Sequence, residues 1–211
     1  MIVISVNTSI QKKIIFNNKE EYTGYFKAPI NEPIYLGKTD VLGDVVVDRK
    51  HHGGLEKACY IYGYNHYAFW KEKYPRIEWQ YGMFGENITI EHLDENKLFI
   101  GDVLQIGNAT VQITQPRQPC YKMGIKFNDQ KIVQEFRSAN CPGIYVRVLK
   151  EGYVSKNDKL IVTDSPDKSI SVNAIYSLLY STNPNKKFVD IAKAHPFLAK
   201  NVIGYLENKF K

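Results

Sequence analysis

Residues 101–114 read Gly-Asp-Val-Leu-Gln-Ile-Gly-Asn-Ala-Thr-Val-Gln-Ile-Thr. This stretch contains two short β-rich runs, 103–106 and 109–114, and a Gly-Asp or Gly-Asn pair precedes each of them. Glycine beside aspartate or asparagine is a turn signal, and short β-rich runs bounded by turn signals are typical of strands. The stretch therefore predicts two strands separated by a turn.

The same pattern extends over most of the first 165 residues. Further β-rich runs occur at 2–6, 45–48, 58–62, 87–90, 143–149 and 159–163. Two stretches, 64–74 and 129–139, instead have the apolar spacing of helices. Many short strands with turns between them suggest a barrel or a sandwich. We therefore predict a mainly β fold with a few helices.

The character of the sequence changes after Ser165-Pro166. Three stretches with helical spacing of apolar residues follow: 171–180, 185–194 and 197–210. Asn-Pro and His-Pro pairs separate them, and such pairs end helices. We predict a β domain over residues 1–165 and a small three-helix unit over residues 166–211.

Composition limits the class of protein and its location. The chain has 211 residues and a net charge of +6, with 44% hydrophobic and 24% charged residues. Its first 13 residues are too short and too polar for a signal peptide. No apolar run approaches the ~18–20 residues that span a bilayer. Three widely spaced cysteines form neither a disulfide framework nor a zinc pattern. We expect a cytoplasmic protein with reduced thiols.

Cys120 is the most informative residue. It lies in the stretch 115–121, Gln-Pro-Arg-Gln-Pro-Cys-Tyr, where two prolines stiffen the loop and Arg117 precedes the thiol by three positions. A nearby cation favours the thiolate, which is both a nucleophile and a soft-metal ligand. We interpret Cys120 as the chemical centre, with an incidental loop cysteine as the alternative. Cys59, in an alternating run, is interpreted as a core residue. Cys141, before Pro142, is interpreted as a helix-end residue, with a second thiol at the site as the alternative.

A glycine pair marks a second candidate site, in the stretch 48–57, Asp-Arg-Lys-His-His-Gly-Gly-Leu-Glu-Lys. Gly53 and Gly54 allow positive φ angles and close approach of the backbone to a ligand. Arg49 and Lys57 would favour an anion. The stretch fits a basic surface hairpin turn equally well. A Cys–His nucleophile pair, Cys120 with His52, is also conceivable.

A third motif is Gly85-Glu86-Asn87-Ile88. Asn87 could hydrogen-bond a ligand from the start of a strand. Taken alone, the motif is more typical of a glycine turn that enters a strand, with Glu86 in solvent. The sequence lacks Gly-x-Gly-x-x-Gly, Walker, His-Glu-x-x-His and Gly-x-Ser-x-Gly motifs, which argues against the corresponding nucleotide-cofactor folds, zinc hydrolases and serine hydrolases.

In this order and spacing, the motifs resemble the MOSC family, which is named after the C-terminal domain of molybdenum-cofactor sulfurases. The motifs are Gly43-Asp44, Asp48, His52-Gly53-Gly54, Lys57-Ala58, Phe84-Gly85-Glu86-Asn87, Gly101-Asp102 and Arg117-Gln118-Pro119-Cys120. The resemblance covers roughly residues 1–165. The three-helix tail is similar to the extra unit of the YiiM-type subgroup.

The resemblance implies a MOSC-type β-barrel and a molybdopterin-type molybdenum cofactor, with Cys120 as the molybdenum ligand. YiiM-type members resemble proteins that reduce N-hydroxylated compounds, including hydroxylaminopurines, to amines. For His52 it implies a hydrogen bond to the cofactor or delivery of a proton, and for Asn87 an orienting contact. The donors expected for the cofactor's phosphate are Gly53, Gly54, Arg49, Lys57, Arg117 and Arg137.

Just before the glycine pair, the sequence differs from the usual motif of the YiiM-type subgroup. Many YiiM-type chains have Gln and Ala where this chain has Val46 and Val47. Valine cannot replace the side-chain hydrogen bond of glutamine, so any cofactor contact that this Gln makes is lost or moved. The departure bears on the substrate range more than on the fold.

Our leading hypothesis is a molybdenum-cofactor-dependent reductase of small N-hydroxylated compounds. The chain has no flavin or nicotinamide signature, so a separate electron-donating reductase is expected. The alternative is a sulfur carrier that uses a Cys120 persulfide to sulfurate a metallocofactor. The tail has no Arg for bidentate guanine contacts, which argues against sequence-specific DNA recognition. It could instead dock the reductase or a second copy in a homodimer.

Overall fold

The computed structural model describes residues 1–49 and 53–210, and this part of the chain contains twelve strands and six α-helices. The strands are β1 (Val3–Thr8), β2 (Lys12–Phe16), β3 (Lys19–Thr23), β4 (Ala28–Ile30), β5 (Ile34–Leu36), β6 (Cys59–Gly63), β7 (Ile88–Ile90), β8 (Val103–Ile106), β9 (Ala109–Pro116), β10 (Ile144–Lys150), β11 (Gly152–Val154) and β12 (Leu160–Asp164). The helices are α1 (Tyr67–Lys73), α2 (Tyr121–Lys126), α3 (Lys131–Ala139), α4 (Val172–Tyr180), α5 (Lys186–Lys193) and α6 (Lys200–Lys209).

Eight strands form one sheet in the order β12-β8-β9-β10-β6-β7-β1-β4. Neighbouring strands are antiparallel except β6 and β7, which are parallel. Two small sheets, β5 with β11 and β2 with β3, complete the β structure. The predicted turn between 103–106 and 109–114 is confirmed, because β8 pairs with β9 from Val103↔Gln112 to Ile106↔Ala109. The sheet places Arg117 directly beyond the end of β9.

The closed barrel implied by the resemblance is not confirmed. Within the described residues, no continuous ladder joins the outer strands β12 and β4. The two sides of the sheet do meet at one end. Ile2 forms an isolated bridge with Lys159, and the Val3 N–H donates to the Asp158 carbonyl at 2.9 Å. The fold is therefore sheet-dominated with several helices.

Two hydrophobic clusters fill the interior. The larger cluster contains inward-facing residues of the main sheet, such as Leu104 and Ile113, together with Ile175 and Leu206 of the C-terminal helices. The smaller cluster is aromatic and includes Trp70 of α1. Because the larger cluster continues from the sheet into the helices, burial of apolar surface holds the two together. The division into two domains stays a prediction.

The predicted helices are confirmed, with ends that differ by a few residues. Two of the C-terminal helices begin with side-chain caps of the usual kind. The Ser171 hydroxyl accepts from the Ala174 N–H at 3.2 Å, and the Asn185 side chain accepts from the Phe188 N–H at 3.3 Å. In the described ranges, none of the helices combines the length and apolar character that a membrane crossing needs.

The predicted strand at 45–48 is wrong, because residues 44–48 have no regular secondary structure. The backbone of this segment lies against Gly24, where an added Cβ would stand 1.7 Å from the Val45 carbonyl oxygen. This close approach takes the place of strand pairing.

The β2–β3 hairpin was not predicted, although its turn residues Asn17 and Asn18 have φ angles of 50° and 60°. Asparagine tolerates this conformation, so the pair was a readable turn signal.

Candidate functional site

A cleft of about 590 Å³ opens where five distant stretches of the chain meet. Its lining residues are Thr23, Gly24, Tyr25, Lys27, Asp44, Val45, Val46, Val47, Asp48, Gly53, Lys57, Ala58, Tyr60, Gly85, Asn87, Arg117, Lys122 and Tyr145. Four of these side chains are cationic and two are carboxylates. We call this cavity the basic cleft. Its charge favours an anionic ligand.

Arg117 provides a buried positive charge in the basic cleft. Its side chain is only 2% exposed, and its guanidinium lies 5.2 Å from the ring centroid of Tyr25 and 4.8 Å from that of Tyr60. Nη1 donates to the Phe84 carbonyl, whereas Nε has no hydrogen-bond partner within the described part of the chain. Because an arginine does not lose its proton in a protein, the site keeps a cation with an unused donor.

The turn formed by residues 82–87 is built around Glu86, which is fully buried. Its carboxylate accepts from the N–H groups of Gly82 at 2.9 Å and Phe84 at 3.0 Å, and from the Thr89 hydroxyl at 2.9 Å. The Tyr67 hydroxyl also donates to it. The interpretation of Glu86 as a solvated residue is therefore wrong. A charged residue is almost never fully buried unless it is paired, and the sequence does not show which groups pair with Glu86.

Gly85 in the same turn gives Tyr25 its position. Gly85 has a φ angle of +79°, and a Cβ added there would lie 3.1 Å from Cε2 of Tyr25. Both the backbone conformation and the close ring contact therefore favour glycine. The Tyr25 side chain is 7% exposed and lies against the Arg117 guanidinium, and its hydroxyl forms no hydrogen bond of ordinary geometry in the described residues. Burial raises the pKa of Tyr25, so the hydroxyl keeps its proton.

Asp44 joins three parts of the wall of the basic cleft. One carboxylate oxygen accepts from the N–H of Ser9 at 2.8 Å and from its hydroxyl at 2.9 Å. The other accepts from the Asn87 amide at 2.9 Å and forms a buried ion pair with Lys27. The Asn87 side-chain oxygen accepts from the Tyr60 N–H at 3.3 Å. Asn87 thus lies in the cleft, as expected, but its side chain is already engaged in holding the fold. Burial lowers the pKa of Lys27, and the charge of Asp44 partly offsets this.

Cys120 is half-buried and caps the N-terminus of α2. Its backbone is extended, with φ −127° and ψ 168°, and its carbonyl accepts from the Met123 N–H at 3.0 Å. Cys120 does not line the basic cleft itself, but it lies close to the wall. Arg117 and Lys122, which flank it in the sequence, both line the cleft. The thiol therefore stands at the edge of the cleft.

The β2–β3 hairpin rests on the residue that follows this thiol. The rings of Phe16 and Tyr121 stack with centroids 4.3 Å apart, and the Tyr121 hydroxyl donates to Glu21. The hairpin thereby fixes the start of α2. Neither α2 nor this contact was predicted. A six-residue helix is too short to show a clear apolar periodicity.

Two of the predicted phosphate donors, Gly53 and Lys57, line the cleft, and Gly54 follows Gly53 without being a lining residue. Gly53 has a φ angle of +71° and packs against Val46, with an added Cβ only 3.2 Å from Val46 Cγ1. The Gly54 N–H donates to the Thr39 carbonyl at 2.8 Å, so this donor is used in the fold. Lys57 lines the cleft, and burial lowers its pKa.

Two predicted residues are not brought to the cleft. Arg49 is exposed and pairs with Asp40 at 2.5 Å. Arg137 is an exposed residue of α3, with its guanidinium 5.4 Å from the ring centroid of Tyr180. His52, the predicted proton source, lies outside the described residues together with residues 50 and 51.

The other two cysteines have structural surroundings. Cys59 is 1% exposed in the larger core cluster, and burial raises the pKa of its thiol. Cys141 follows Asn140, the C-cap residue of α3, and its sulfur lies 3.7 Å from the Tyr62 hydroxyl. Burial raises the pKa of Cys141 to about 11. The interpretations of Cys59 as a core residue and of Cys141 as a helix-end residue are confirmed.

The sequence analysis missed several residues of the cleft: Tyr25, Lys27, Tyr60, Lys122 and Tyr145. Tyr60 and Tyr145 are partners in the register of β6 and β10, so knowledge of the strand pairing would have brought them together. Tyr25 and Lys27 carry no such signal, because tertiary contacts alone bring their segment to the cleft. In the described ranges, there is no group of three or more His, Cys, Asp or Glu side chains that could hold a metal ion.

Comparison with known proteins agrees with this architecture. The MOSC domain matches residues 48–161 of the chain. The uncharacterized protein YflK of Bacillus subtilis is 35% identical over 183 residues, which cover 87% of this chain and 82% of YflK. A protein named Reductase from Gibberella moniliformis is 27% identical over 161 residues, covering 75% of this chain but 28% of that protein.

Among solved structures, the crystal structure of YiiM from Geobacillus stearothermophilus is similar over 99% of this chain and 98% of that one. The TM-score is 0.83 and the sequence identity is 27%. The likeness therefore includes the C-terminal helices as well as the main sheet. Since the MOSC match covers more than half of the sequence and YflK is similar over most of both proteins, the chain belongs to the MOSC domain family.

Proposed function

We propose that this protein is a molybdenum-cofactor-dependent oxidoreductase that reduces N-hydroxylated compounds, of the hydroxylaminopurine type, to amines. The observation that carries the proposal is the half-buried thiol of Cys120 at the edge of a cleft whose buried arginine has an unused donor. Membership of the MOSC family, which is associated with molybdenum cofactor binding, supports the choice of cofactor. A relative that bears the name Reductase supports oxidoreductase chemistry.

The side chains of the basic cleft fit the anionic end of a molybdopterin-type cofactor. Arg117 is 2% exposed and Lys122 is 6% exposed, so both charges are largely withdrawn from water. Charge-assisted hydrogen bonds to phosphate are strong under these conditions. The unpartnered Nε of Arg117 is a donor that such a phosphate would satisfy. Lys57, which also lines the cleft, would add a third cation.

Cys120 would hold the metal through its thiolate, which is a soft donor suited to such a ligand role. When bound, the cofactor would supply the two electrons that convert R–NHOH and two protons into R–NH₂ and water. The chain's part is to orient the cofactor, to hold its phosphate with Arg117 and Lys122, and to deliver protons. His52 stays the predicted proton source. The electrons are expected from a separate reductase.

Elemental analysis tests the proposal directly. Wild type, Cys120→Ala and the matched control Cys141→Ala would be expressed in a host that makes the cofactor and is fed molybdate. We expect near-stoichiometric molybdenum in wild type and Cys141→Ala and none in Cys120→Ala. The loaded proteins would then reduce 6-hydroxylaminopurine with dithionite-reduced methyl viologen as electron source. Full molybdenum and full activity in Cys120→Ala would refute the role of the thiol.

The alternative function is sulfur transfer through a Cys120 persulfide. Its supporting observation is the partial exposure of this thiol, which contrasts with the buried Cys59 and Cys141. Mass spectrometry of the same preparations distinguishes the two functions. One additional sulfur atom on Cys120, in wild type that contains no molybdenum, would favour the sulfur carrier over the reductase.

A further inference from the structure

Two buried donors in the basic cleft lack partners within the described part of the chain. They are Nε of Arg117, on a side chain that is 2% exposed, and the hydroxyl of Tyr25, on a side chain that is 7% exposed. Buried polar groups are nearly always hydrogen-bonded, because an unsatisfied group retains its desolvation cost. Two such donors in one cleft indicate that a ligand supplies their hydrogen-bond acceptor.

Both donors are held in place by the 82–87 turn. The Phe84 carbonyl accepts from Nη1 of Arg117, and Gly85 allows the Tyr25 ring to lie directly against the turn. The guanidinium lies 5.2 Å from the centroid of the Tyr25 ring, so the two side chains are in contact. These contacts fix the guanidinium and the phenol ring, so the positions of Nε and of the hydroxyl oxygen are fixed as well. The pair is therefore preorganised for a ligand.

We propose that Tyr25 is the second donor of an oxyanion pocket, in which its O–H and the Nε–H of Arg117 together bind one oxygen-bearing anionic group. This inference rests on the proposed function where it assigns Arg117 to the cofactor, and it adds Tyr25 as a binding residue. The oxyanion has two possible sources. One is the phosphate of the cofactor, and the other is the substrate's hydroxylamine oxygen, which gains negative charge as the N–O bond breaks and before protonation releases it as water.

A purely structural role of the Tyr25 hydroxyl makes the opposite prediction for stability. The Tyr60 hydroxyl in the same cleft donates to the Pro142 carbonyl at 2.8 Å. Loss of that hydroxyl should lower the melting temperature, because it removes a made hydrogen bond. Loss of the Tyr25 hydroxyl should leave the melting temperature unchanged or raise it, since no hydrogen bond is lost.

The first experiment uses the full chain purified without cofactor and inorganic phosphate as the probe. Wild type, Tyr25→Phe and the control Tyr22→Phe, whose ring is 52% exposed, would be titrated while the ¹⁵N–¹H signal of Arg117 Nε is followed by NMR. We expect Tyr25→Phe to bind phosphate about ten-fold more weakly, which corresponds to one hydrogen bond to a charged group. Tyr22→Phe should match wild type, and melting temperatures would be recorded for both variants and for Tyr60→Phe.

The second experiment uses the molybdenum-loaded protein and identifies the source of the oxyanion. Lower molybdenum content in Tyr25→Phe, with unchanged kcat per molybdenum, assigns the pocket to the cofactor. Unchanged molybdenum content with altered KM or kcat assigns it to the substrate oxygen. If wild type never binds molybdenum, the proposed function fails, but the phosphate titration still decides whether the pocket exists.

Equal phosphate affinity in wild type and Tyr25→Phe would overturn the inference. A wild-type chain without measurable phosphate binding at Arg117 would overturn it as well. A marked drop in the melting temperature of Tyr25→Phe, similar to that of Tyr60→Phe, would show that the hydroxyl serves the fold.

Discussion

Glu86 and Arg117 are both buried charges, and both bind the 82–87 turn, but their surroundings differ. Glu86 accepts four hydrogen bonds, and both of its carboxylate oxygens are used. Arg117 makes one bond, to the Phe84 carbonyl, and leaves Nε without a partner in the described residues. A buried charged group whose hydrogen-bonding capacity is fully used stabilises the fold, whereas one with an unused donor can bind a ligand.

The turn connects the two charges through a single residue. The Phe84 N–H donates to Glu86, while the Phe84 carbonyl accepts from Arg117. The carboxylate therefore fixes the backbone group that in turn fixes the guanidinium. The following experiments test this division of roles, in order of decreasing expected effect on stability.

Glu86→Ala should have the largest effect, because it leaves the N–H groups of Gly82 and Phe84 and two hydroxyls buried without an acceptor. We expect a loss of about 3–5 kcal/mol in the free energy of unfolding, measured by urea denaturation. Glu20→Ala is the control, since the Glu20 side chain is 64% exposed, and it should change stability by less than about 0.5 kcal/mol. A loss below 1 kcal/mol for Glu86→Ala would show that water replaces these bonds and that the turn does not depend on the carboxylate.

Gly85→Ala should have an intermediate effect. The new Cβ meets the Tyr25 ring, and alanine must adopt a φ angle of +79°. We expect a loss of about 1–3 kcal/mol in the free energy of unfolding, together with weaker phosphate binding at Arg117. Gly204→Ala in α6 provides the matched control, because no atom lies within 4 Å of its added Cβ.

In the α6 control, alanine should stabilise the chain by about 0.5–1 kcal/mol, since it favours helix more than glycine does. Equal effects of the two substitutions, in sign and size, would contradict the assigned role of Gly85.

Lys126 is a third charged residue that contacts this turn. Its substitution should change the free energy of unfolding least, and the change should depend on pH. Its Nζ donates to the Gly82 carbonyl at 2.7 Å, and burial lowers its pKa to about 8. The unfolded chain keeps the ordinary lysine pKa of about 10.4. Between these two pKa values the unfolded state binds more protons, so the Lys126 contribution to stability increases as pH rises from about 8 to 10.

Comparison of wild type with Lys126→Met isolates this contribution. Wild type should gain about 1 kcal/mol in unfolding free energy relative to the variant between pH 8 and pH 9, measured by urea denaturation at both values. Lys13→Met is the control, because the Lys13 side chain is 50% exposed. If the difference between wild type and Lys126→Met stays constant with pH, the lysine is not desolvated.

Local patterns in the sequence predicted the elements but not the way in which the cleft is assembled. The alternation of β-rich runs and turn pairs located strands such as β8 and β9, and apolar spacing located α3 and the C-terminal helices. Residues 45–48 were predicted as a strand because valine favours strands, but Asp44 and Gly24 hold this segment in an irregular path. Tertiary contacts overrode local propensity there.

The candidate site was predictable where a single residue carries unusual chemistry. Cys120 and Arg117 stood out from their loop alone, whereas Tyr25 did not, because its role depends on contact with Gly85 from a distant segment. Arg137 was included as a cation, but it lies against Tyr180 instead. Sequence reasoning identifies reactive groups, while the partners of a buried group follow only from the packing.

The junction between the two ends of the main sheet has a consequence for folding during synthesis. Backbone hydrogen bonds join Val3 to Asp158 and Leu160 to Met1. β1 can pair with β4 as soon as residue 30 has left the ribosome, but these bonds must wait for most of the chain. Contacts between residues so distant in sequence are slow to form. We therefore expect β8 to remain an unpaired edge of the sheet, and the start of β1 to lack these bonds, until β12 emerges. In this interval the nascent chain most needs protection from aggregation.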